Sequence, residues 1–451
     1  MAEERIIEQR KEKIEKLKEI GVDPYAYKYE VDTTAKELLD RFGRHKEGEE
    51  KEKEDLPADE FSLAGRIVSM RVMGKAAFFH IQDGTEKLQC YIRRDVVGEE
   101  FYNKIFKKLI DIGDIVGVRG KLFRTGKGEL TLEVLKMELL TKSLRPLPEK
   151  WHGLRDVEKR YRQRYLDLIV NPEVREIFRT RTKIIKKLRE FLDNKGFMEV
   201  ETPILQPIAS GAAAKPFITH YNALDIDVYL RIAPELYLKR LLVGGFERVY
   251  EIGKNFRNEG ISTRHNPEFT MVEFYMAYAD YYDLMDLTEE LFEYLLDEIF
   301  GKGVREIEYQ GTKISFERPF KKISYLGELS KKTGLSEEEL LHDEEKVLQK
   351  AKEVGIEGAE KLSHFKRVQE LFEALVEPDL IQPTFVIDFP KAISPLAKEK
   401  RGNPELVERF ELFIYGREIA NAYTELNNPF EQKARFLQQL EEKAKGDDEA
   451  M

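Results

Sequence analysis

The sequence predicts an α+β protein: a small five-stranded β-barrel followed by a larger body of strands and helices. Three observations carry this. Residues 61–140 divide into five short segments rich in β-branched and aromatic residues, with a helical segment after the third. Residues 171–196 repeat apolar side chains with the 3.6-residue period of a helix. Beyond residue 246, three segments alternate side chains of different character at strand spacing. At 451 residues the chain exceeds one ordinary domain, and roughly three structural units are expected at ~150 residues apiece.

Residues 3–20 are expected to be helical: Ile6, Ile7, Ile14, Leu17 and Ile20 are the apolar positions, charges fill the rest, and Gly21 and Pro24 end the run. Such a helix docks one thin face; contact with a nucleic acid is the alternative. Residues 44–60 carry charge without periodicity and read as a surface loop, so 1–60 form an N-terminal helix and charged loop. FSLAGRIVSM, AAFFHIQDG, EKLQCYIRR, DIVGVRGKLFRT and ELTLEVLKMELL are the strands of a domain at 61–142, and YNKIFKKLI is a helix between the third and fourth. That order is an OB-fold, which commonly binds single-stranded nucleic acid, although a purely structural barrel has the same pattern. Phe78 and Phe79 are candidates to stack a base, and Arg66 and Arg71 to hold phosphates. Adjacent strand residues face opposite ways, so at most one of the two phenylalanines meets a ligand. The net charge of −10 conceals an asymmetry: residues 61–148 hold 16 Lys+Arg against 10 Asp+Glu, a basic module on an acidic body.

SLRPLPEKWHG opens a linker region, 143–170. The body, 171–451, starts with a helix for which Asn171 is the N-cap, Pro172 the first helical residue and Gly196 the stop. MEVETPIL is expected to be one short strand, and the charged residues 321–380 a helical insertion. No apolar run approaches the ~18–20 residues of a membrane helix, and MAEERIIEQRKEK lacks the apolar centre of a secretory signal. Cys90, the single cysteine, excludes an intramolecular disulfide and a cysteine zinc cluster. The chain reads as soluble and cytoplasmic.

GxxxxGK, GxGxxG after a strand and HExxH are all missing, so a nucleotide would be held by side chains on a sheet rather than in a glycine cradle. In FERVYEIGKNFRNEG, Glu251, Asn255 and Arg257 share one parity; an arginine there suits phosphate, and an internal Arg–Glu pair is the alternative. EFTMVEFYMAY puts Phe269, Met271, Glu273 and Tyr275 on one face and the core-like Thr270, Val272, Phe274 and Met276 on the other. RFELFIYGREIANAYTELNN aligns Asn421, Tyr423 and Glu425, while Glu411 and Glu418 flank a turn at Gly416. Two carboxylates brought close favour a cation between them, and Mg²⁺ on ATP phosphates is the natural candidate; exposed strand glutamates are the alternative. Glu235, Glu273 and Glu425 together would make an acidic pocket suited to a small cationic substrate beside a nucleotide.

At these residues the chain resembles the class II lysyl-tRNA synthetases of bacterial type, from about residue 5 onward. KGFMEVETPIL is similar to their motif 1, NFRNEGISTRHNPEFTMVEFYMAY to motif 2, and RIAPELYLKRL, LIQPTFVIDFPKAISPLA and GREIANAYTELNN are lysyl-type in character. The resemblance implies an antiparallel-sheet catalytic domain flanked by helices, and an OB-fold that reads the anticodon. It also implies a homodimer through motif 1, and the substrates L-lysine, ATP and tRNA(Lys) with Mg²⁺. By position it gives the catalytic role, and contact with the lysine carboxylate and the α-phosphate, to Arg257. Adenine falls to Phe269 and Glu259, the phosphates to His265 and Asn266, and Mg²⁺ to Glu411 and Glu418. The α-ammonium falls to Glu235 and the Gly211 carbonyl. The ε-ammonium falls to Glu273, Tyr275 and Glu425, lined by Asn421 and Tyr423. Phe78, Gln89 and Glu129 match positions near anticodon bases. The family's motif 3, a glycine-rich strand–helix with an Asp-Arg pair, has no counterpart in the last residues, AKGDDEAM. A paralogue that lysylates a protein, or a non-catalytic tRNA-binding protein, is the alternative; the former lacks the OB-fold that residues 61–140 suggest.

Overall fold

The computed structural model describes residues 2–43, 56–148, 154–208, 211, 214–260 and 265–444. Most of the expected charged loop, residues 44–55, lies outside these. The chain forms two compact units, Met1–Glu176 and Ile177–Met451.

In the first unit the helix Ala2–Glu19 buries Ile14 and Leu17. A second helix, Ala35–Phe42, is fixed by a capping box in which Thr34 and Glu37 satisfy each other's backbone donors. Five strands follow: β1 (Glu60–Met73), β2 (Ala76–Gln82), β3 (Lys87–Arg93), β4 (Ile115–Arg124) and β5 (Leu130–Thr141). They close into a barrel in the order β1-β2-β3-β5-β4, with a short helical stretch between β3 and β4, as expected of an OB-fold. Alternate residues fill it: Leu63, Ile67, Ala77, Phe79, Ile81, Cys90, Ile92, Val118 and Val134 are buried, so Phe78 faces outward. At the β4–β5 bulge a Cβ on Gly120 would lie 1.9 Å from the Glu133 carbonyl oxygen, so only glycine allows the strands to approach there.

The expected linker is partly helical, with helices Val157–Arg162 and Arg164–Val170. Its signal is polar rather than periodic: Arg160, Arg164 and Asn171 all donate to the buried Asp167 carboxylate. The long helix runs Glu173–Asn194, beginning one residue after Pro172; the Asn171 side-chain amide donates to Asp167, and Gly196, just past the helix end, has positive φ. Its apolar stripe divides, however. Val174, Phe191 and Leu192 are buried, whereas Ile177, Phe178 and Ile184 are exposed.

In the second unit MEVETPIL is not one strand but two, β6 (Met198–Glu199) and β7 (Leu205–Gln206), because Pro203 between them has no N–H to donate. β7 joins β8 (Ile218–Tyr221) and β9 (Ile226–Leu230) in a small sheet. β10 (Arg248–Phe256) pairs antiparallel with β11 (Glu268–Met276) and parallel with β6. Val272, Phe274 and Met276 pack with Phe191, Leu192, Phe197 and Tyr250, which confirms the core parity of β11. β12 (Glu306–Tyr309) and β13 (Thr312–Ser315) form a hairpin. The last sheet runs β14 (Lys321–Ser324), β15 (Thr384–Pro390), β17 (Asn403–Phe413) and β16 (Glu399–Lys400), with β18 (Glu418–Tyr423) also on β17. The insertion therefore opens with a strand, four residues being too few to show a period of two. The helices Tyr325–Thr333, Glu337–His342, Glu344–Val354 and His364–Leu375 follow. No helix among the described residues is long and apolar enough to cross a membrane.

Candidate active site

The three carboxylates converge. Glu235 is the first residue of the helix Glu235–Val243 and is buried. One of its oxygens accepts from the Tyr423 hydroxyl and from Lys239 Nζ at 2.7 Å. The same ammonium lies 2.9 Å from Glu425 Oε2, and 5.3 and 5.9 Å from the ring centres of Tyr423 and Tyr275. Tyr275 completes the cluster through a long contact, 3.5 Å, from its hydroxyl to Glu273. A cation in a cage of carboxylates and aromatic faces is thus already present, supplied by the chain itself. Burial, then the charge of Glu235, pushes the Glu273 carboxyl up to about 8. Burial also raises Glu425 to about 7, against the pull of Lys239. For Lys239, burial lowers the value, but Glu235 and Glu425 outweigh it and the ammonium is held above its ordinary range. Gly211 (φ +94°) abuts this site: a Cβ there would sit 3.3 Å from Glu235 Cβ.

Beside the cage, the β10–β11 pair sets Asn255 opposite Phe269, and the Arg257 backbone N–H donates to the Pro267 carbonyl at 2.9 Å. The Arg257 guanidinium lies 5.2 Å from the Phe269 ring centre. Its Nε is buried and has no hydrogen-bond partner. A buried donor left unpaired costs about 1–3 kcal/mol, so this geometry suits an arriving anion. Glu259, His265 and Asn266 are exposed on the connection between the two strands, of which residues 261–264 are not described. Glu251 instead makes the internal pair, with Arg231 Nη1 at 2.5 Å.

On β17 and β18, Glu411 faces Asn421, and Arg409 donates to both, at 2.5 and 3.1 Å. Burial raises the Glu411 carboxyl to about 7; Arg409 opposes this and the charge of Glu418 adds to it. An acid that resists ionisation beside a second carboxylate is a donor set a divalent cation would fit, since hard oxygens suit Mg²⁺ and its charge would offset theirs.

The outer face of the barrel carries a second cluster. Phe78 and Tyr91 rings lie 4.6 Å apart and Tyr91 and Phe123 5.7 Å. Gln89 donates to Glu129 at 2.8 Å and accepts from Thr131 at 2.9 Å, with His80 Nε2 3.7 Å from Glu129. Arg71 is exposed opposite Phe78. Arg66 lies further along the strand and donates to the Gly113 carbonyl at 2.7 Å, so the chain's own backbone engages it.

The family described as tRNA synthetases class II (D, K and N) matches residues 156–451. This chain belongs to that family. An OB-fold nucleic acid binding domain also matches residues 61–140 of the synthetase. A lysine–tRNA ligase of Carboxydothermus hydrogenoformans is 56% identical over 445 residues, 99% of this chain and 88% of that protein. One of Pelotomaculum thermopropionicum is 57% identical over 443 residues, 98% and 84% respectively. A third, of Aquifex aeolicus, is 62% identical over 390 residues, 86% of this chain and 65% of the relative.

In the synthetase, then, Gly211, Glu235, Glu273, Tyr275, Tyr423 and Glu425 gather in one cage, Arg257 joins Phe269, and Glu411 joins Glu418 and Asn421. Lys239 and Arg409 escaped sequence reasoning. Lys239 stands four residues after Glu235, the spacing at which a helical Glu–Lys pair meets, and that signal was available. Arg409 could be placed only by the register of β17 against β18. His80, Tyr91 and Thr131 were likewise missed on the barrel, although His80 shares parity with Phe78.

Proposed function

We propose that this synthetase is a lysine–tRNA ligase acting in the cytoplasm, and the observation that carries it is the carboxylate–tyrosine cage already closed around an ammonium group. In this reading Glu235 and the Gly211 carbonyl take the α-ammonium of L-lysine. Glu273, Tyr275 and Glu425 take the ε-ammonium, with Asn421 and Tyr423 lining the pocket. Arg257 holds the lysine carboxylate against the α-phosphate of ATP. Phe269 lies under adenine with Glu259 near its amino group, and His265 and Asn266 meet the phosphates. A carboxylate oxygen attacks the α-phosphorus in line and pyrophosphate leaves. No general base is required, because the carboxylate is ionised at neutral pH. Arg257 neutralises the charge that develops at the α-phosphate. The 3′-terminal hydroxyl of tRNA(Lys) then attacks the carbonyl carbon, and AMP leaves. Glu411 and Glu418 would hold Mg²⁺, which would supply charge neutralisation on the ATP phosphates. Lysine-dependent exchange of pyrophosphate into ATP tests the first step, and lysine transfer to tRNA rather than to a protein tests the second.

Titration of the cage gives a pH prediction. Glu273, raised to about 8, carries a proton at neutral pH and must lose it to pair with an ammonium. The KM for lysine is therefore expected to fall as pH rises from 6 to 8, by up to about tenfold per unit. A KM independent of pH over that range would remove Glu273 from the ammonium site.

The barrel gives another. Phe78→Ala is expected to raise the KM for tRNA by about 5- to 100-fold, as loss of a stacked base would, while pyrophosphate exchange is unchanged. Equal loss of both activities would point to a folding defect instead. Exposed Ile177, Phe178, Ile184, Met198, Ile204 and Leu205 in and around motif 1 support a homodimer through this region. Sedimentation at twice the chain mass would bear that out.

A further inference from the structure

We propose that Lys239 is a resident counter-ion of the amino-acid pocket that stays in place when substrate binds, so that three carboxylates face three ammonium groups. The inference rests on the lysine reading above. Glu235, Glu273 and Glu425 bring three negative charges when ionised. The substrate brings two ammonium groups, and its carboxylate is matched by Arg257. One buried carboxylate would remain unmatched without a further cation, and a charge left alone in such a site is costly. Arg231 also faces Glu273, but its guanidinium is paired with Glu251 at 2.5 Å. Tyr275 and Tyr423 complete the surroundings, both held well above the ordinary phenol range by burial and then by Glu235, so they bring no charge. Lys239 is left to supply the third positive charge.

The geometry favours its staying. Lys239 is held by helical i,i+4 spacing to Glu235 and bridges to Glu425 from another element, at 2.7 and 2.9 Å. Each bond uses one carboxylate oxygen, Oε1 of Glu235 and Oε2 of Glu425, which leaves the other oxygen of each to a substrate ammonium. The alternative is a placeholder that the incoming ammonium expels. The two ideas make opposite predictions.

The test uses the full chain with Lys239→Met and Lys239→Arg. Wild type must first show lysine-dependent pyrophosphate exchange; its failure to do so would overturn the lysine reading and this inference with it. As a counter-ion, Lys239 predicts that Lys239→Met raises the KM for lysine at pH 8 by about tenfold or more, the direction set by an unmatched buried charge. The KM for ATP should stay within about twofold, and the deficit should shrink toward pH 6, where a proton neutralises the spare carboxylate. Lys239→Arg should recover part of the loss. Calorimetry in buffers of different ionisation enthalpy should find about one proton fewer released on lysine binding to Lys239→Met than to wild type. A KM for lysine that is lowered or unchanged in Lys239→Met, or unchanged proton release, would overturn the proposal. Should Lys239→Met fail to fold, as judged by circular dichroism, Lys239→Arg decides: wild-type proton release with near-normal lysine KM supports the counter-ion, and lysine bound more tightly than by wild type refutes it.

Discussion

Glu425→Gln and Glu273→Gln are each expected to raise the KM for lysine by about 10²–10⁴-fold, the effect of breaking a buried charge pair at roughly 3–5 kcal/mol. The KM for ATP should stay within about threefold. Glutamine keeps the shape and removes only the charge, so the effect reads the ammonium contact rather than packing. Stability separates binding from folding. The Glu273 carboxyl is raised to about 8 in the fold, against ~4.3 in an unfolded chain. Its contribution to stability is therefore fully present below the unfolded value and is lost as pH rises through about 8. Glutamine mimics the protonated form, so Glu273→Gln should melt no lower than wild type at pH 8.5 while binding lysine poorly. Equal increases in both KM values would remove these residues from the ε-ammonium site.

The cage was half legible in the sequence. Parity along β11 sorted Glu273 and Tyr275 from Val272 and Phe274, and parity along β18 sorted Tyr423 from Ala422, because a period of two survives wherever one face is buried. That these strands meet the start of the helix Glu235–Val243 is a tertiary fact, and residue types alone do not encode it. Lys239 hid for a different reason: an i,i+4 Glu–Lys pair on a helix is commonplace, and only burial gives this one meaning. Elsewhere short or mixed signals conceal the structure. Pro203 divides what reads as one strand, β14 is too short to show its period, and the helices 157–170 are organised around Asp167 rather than an apolar stripe. The exposed start of the helix Glu173–Asn194 shows that helical period marks an apolar face without saying what covers it.

Arg257→Ala is expected to lower the turnover of lysine-dependent pyrophosphate exchange by about 10²–10³-fold, the range for removing one preorganised donor from developing charge. The loss in kcat/KM should be larger, since the same guanidinium is proposed to hold the lysine carboxylate before reaction. Arg257→Lys should recover little: an ammonium cannot reproduce the planar fork that addresses two anionic groups at once. The free protein again offers a control. Arg257 Nε is buried without an acceptor, so its removal takes away an unpaired polar group that weighs against folding. Loss of the guanidinium's attraction to Glu418 works against that gain, so Arg257→Ala should melt close to the wild-type temperature while activity collapses. Phe269 should be felt differently. It carries the guanidinium on its face at 5.2 Å and is proposed to support adenine, so Phe269→Leu should act mainly on the KM for ATP. If Arg257→Lys kept more than about a third of wild-type turnover, the charge alone would suffice and the bidentate role given to this side chain would fall.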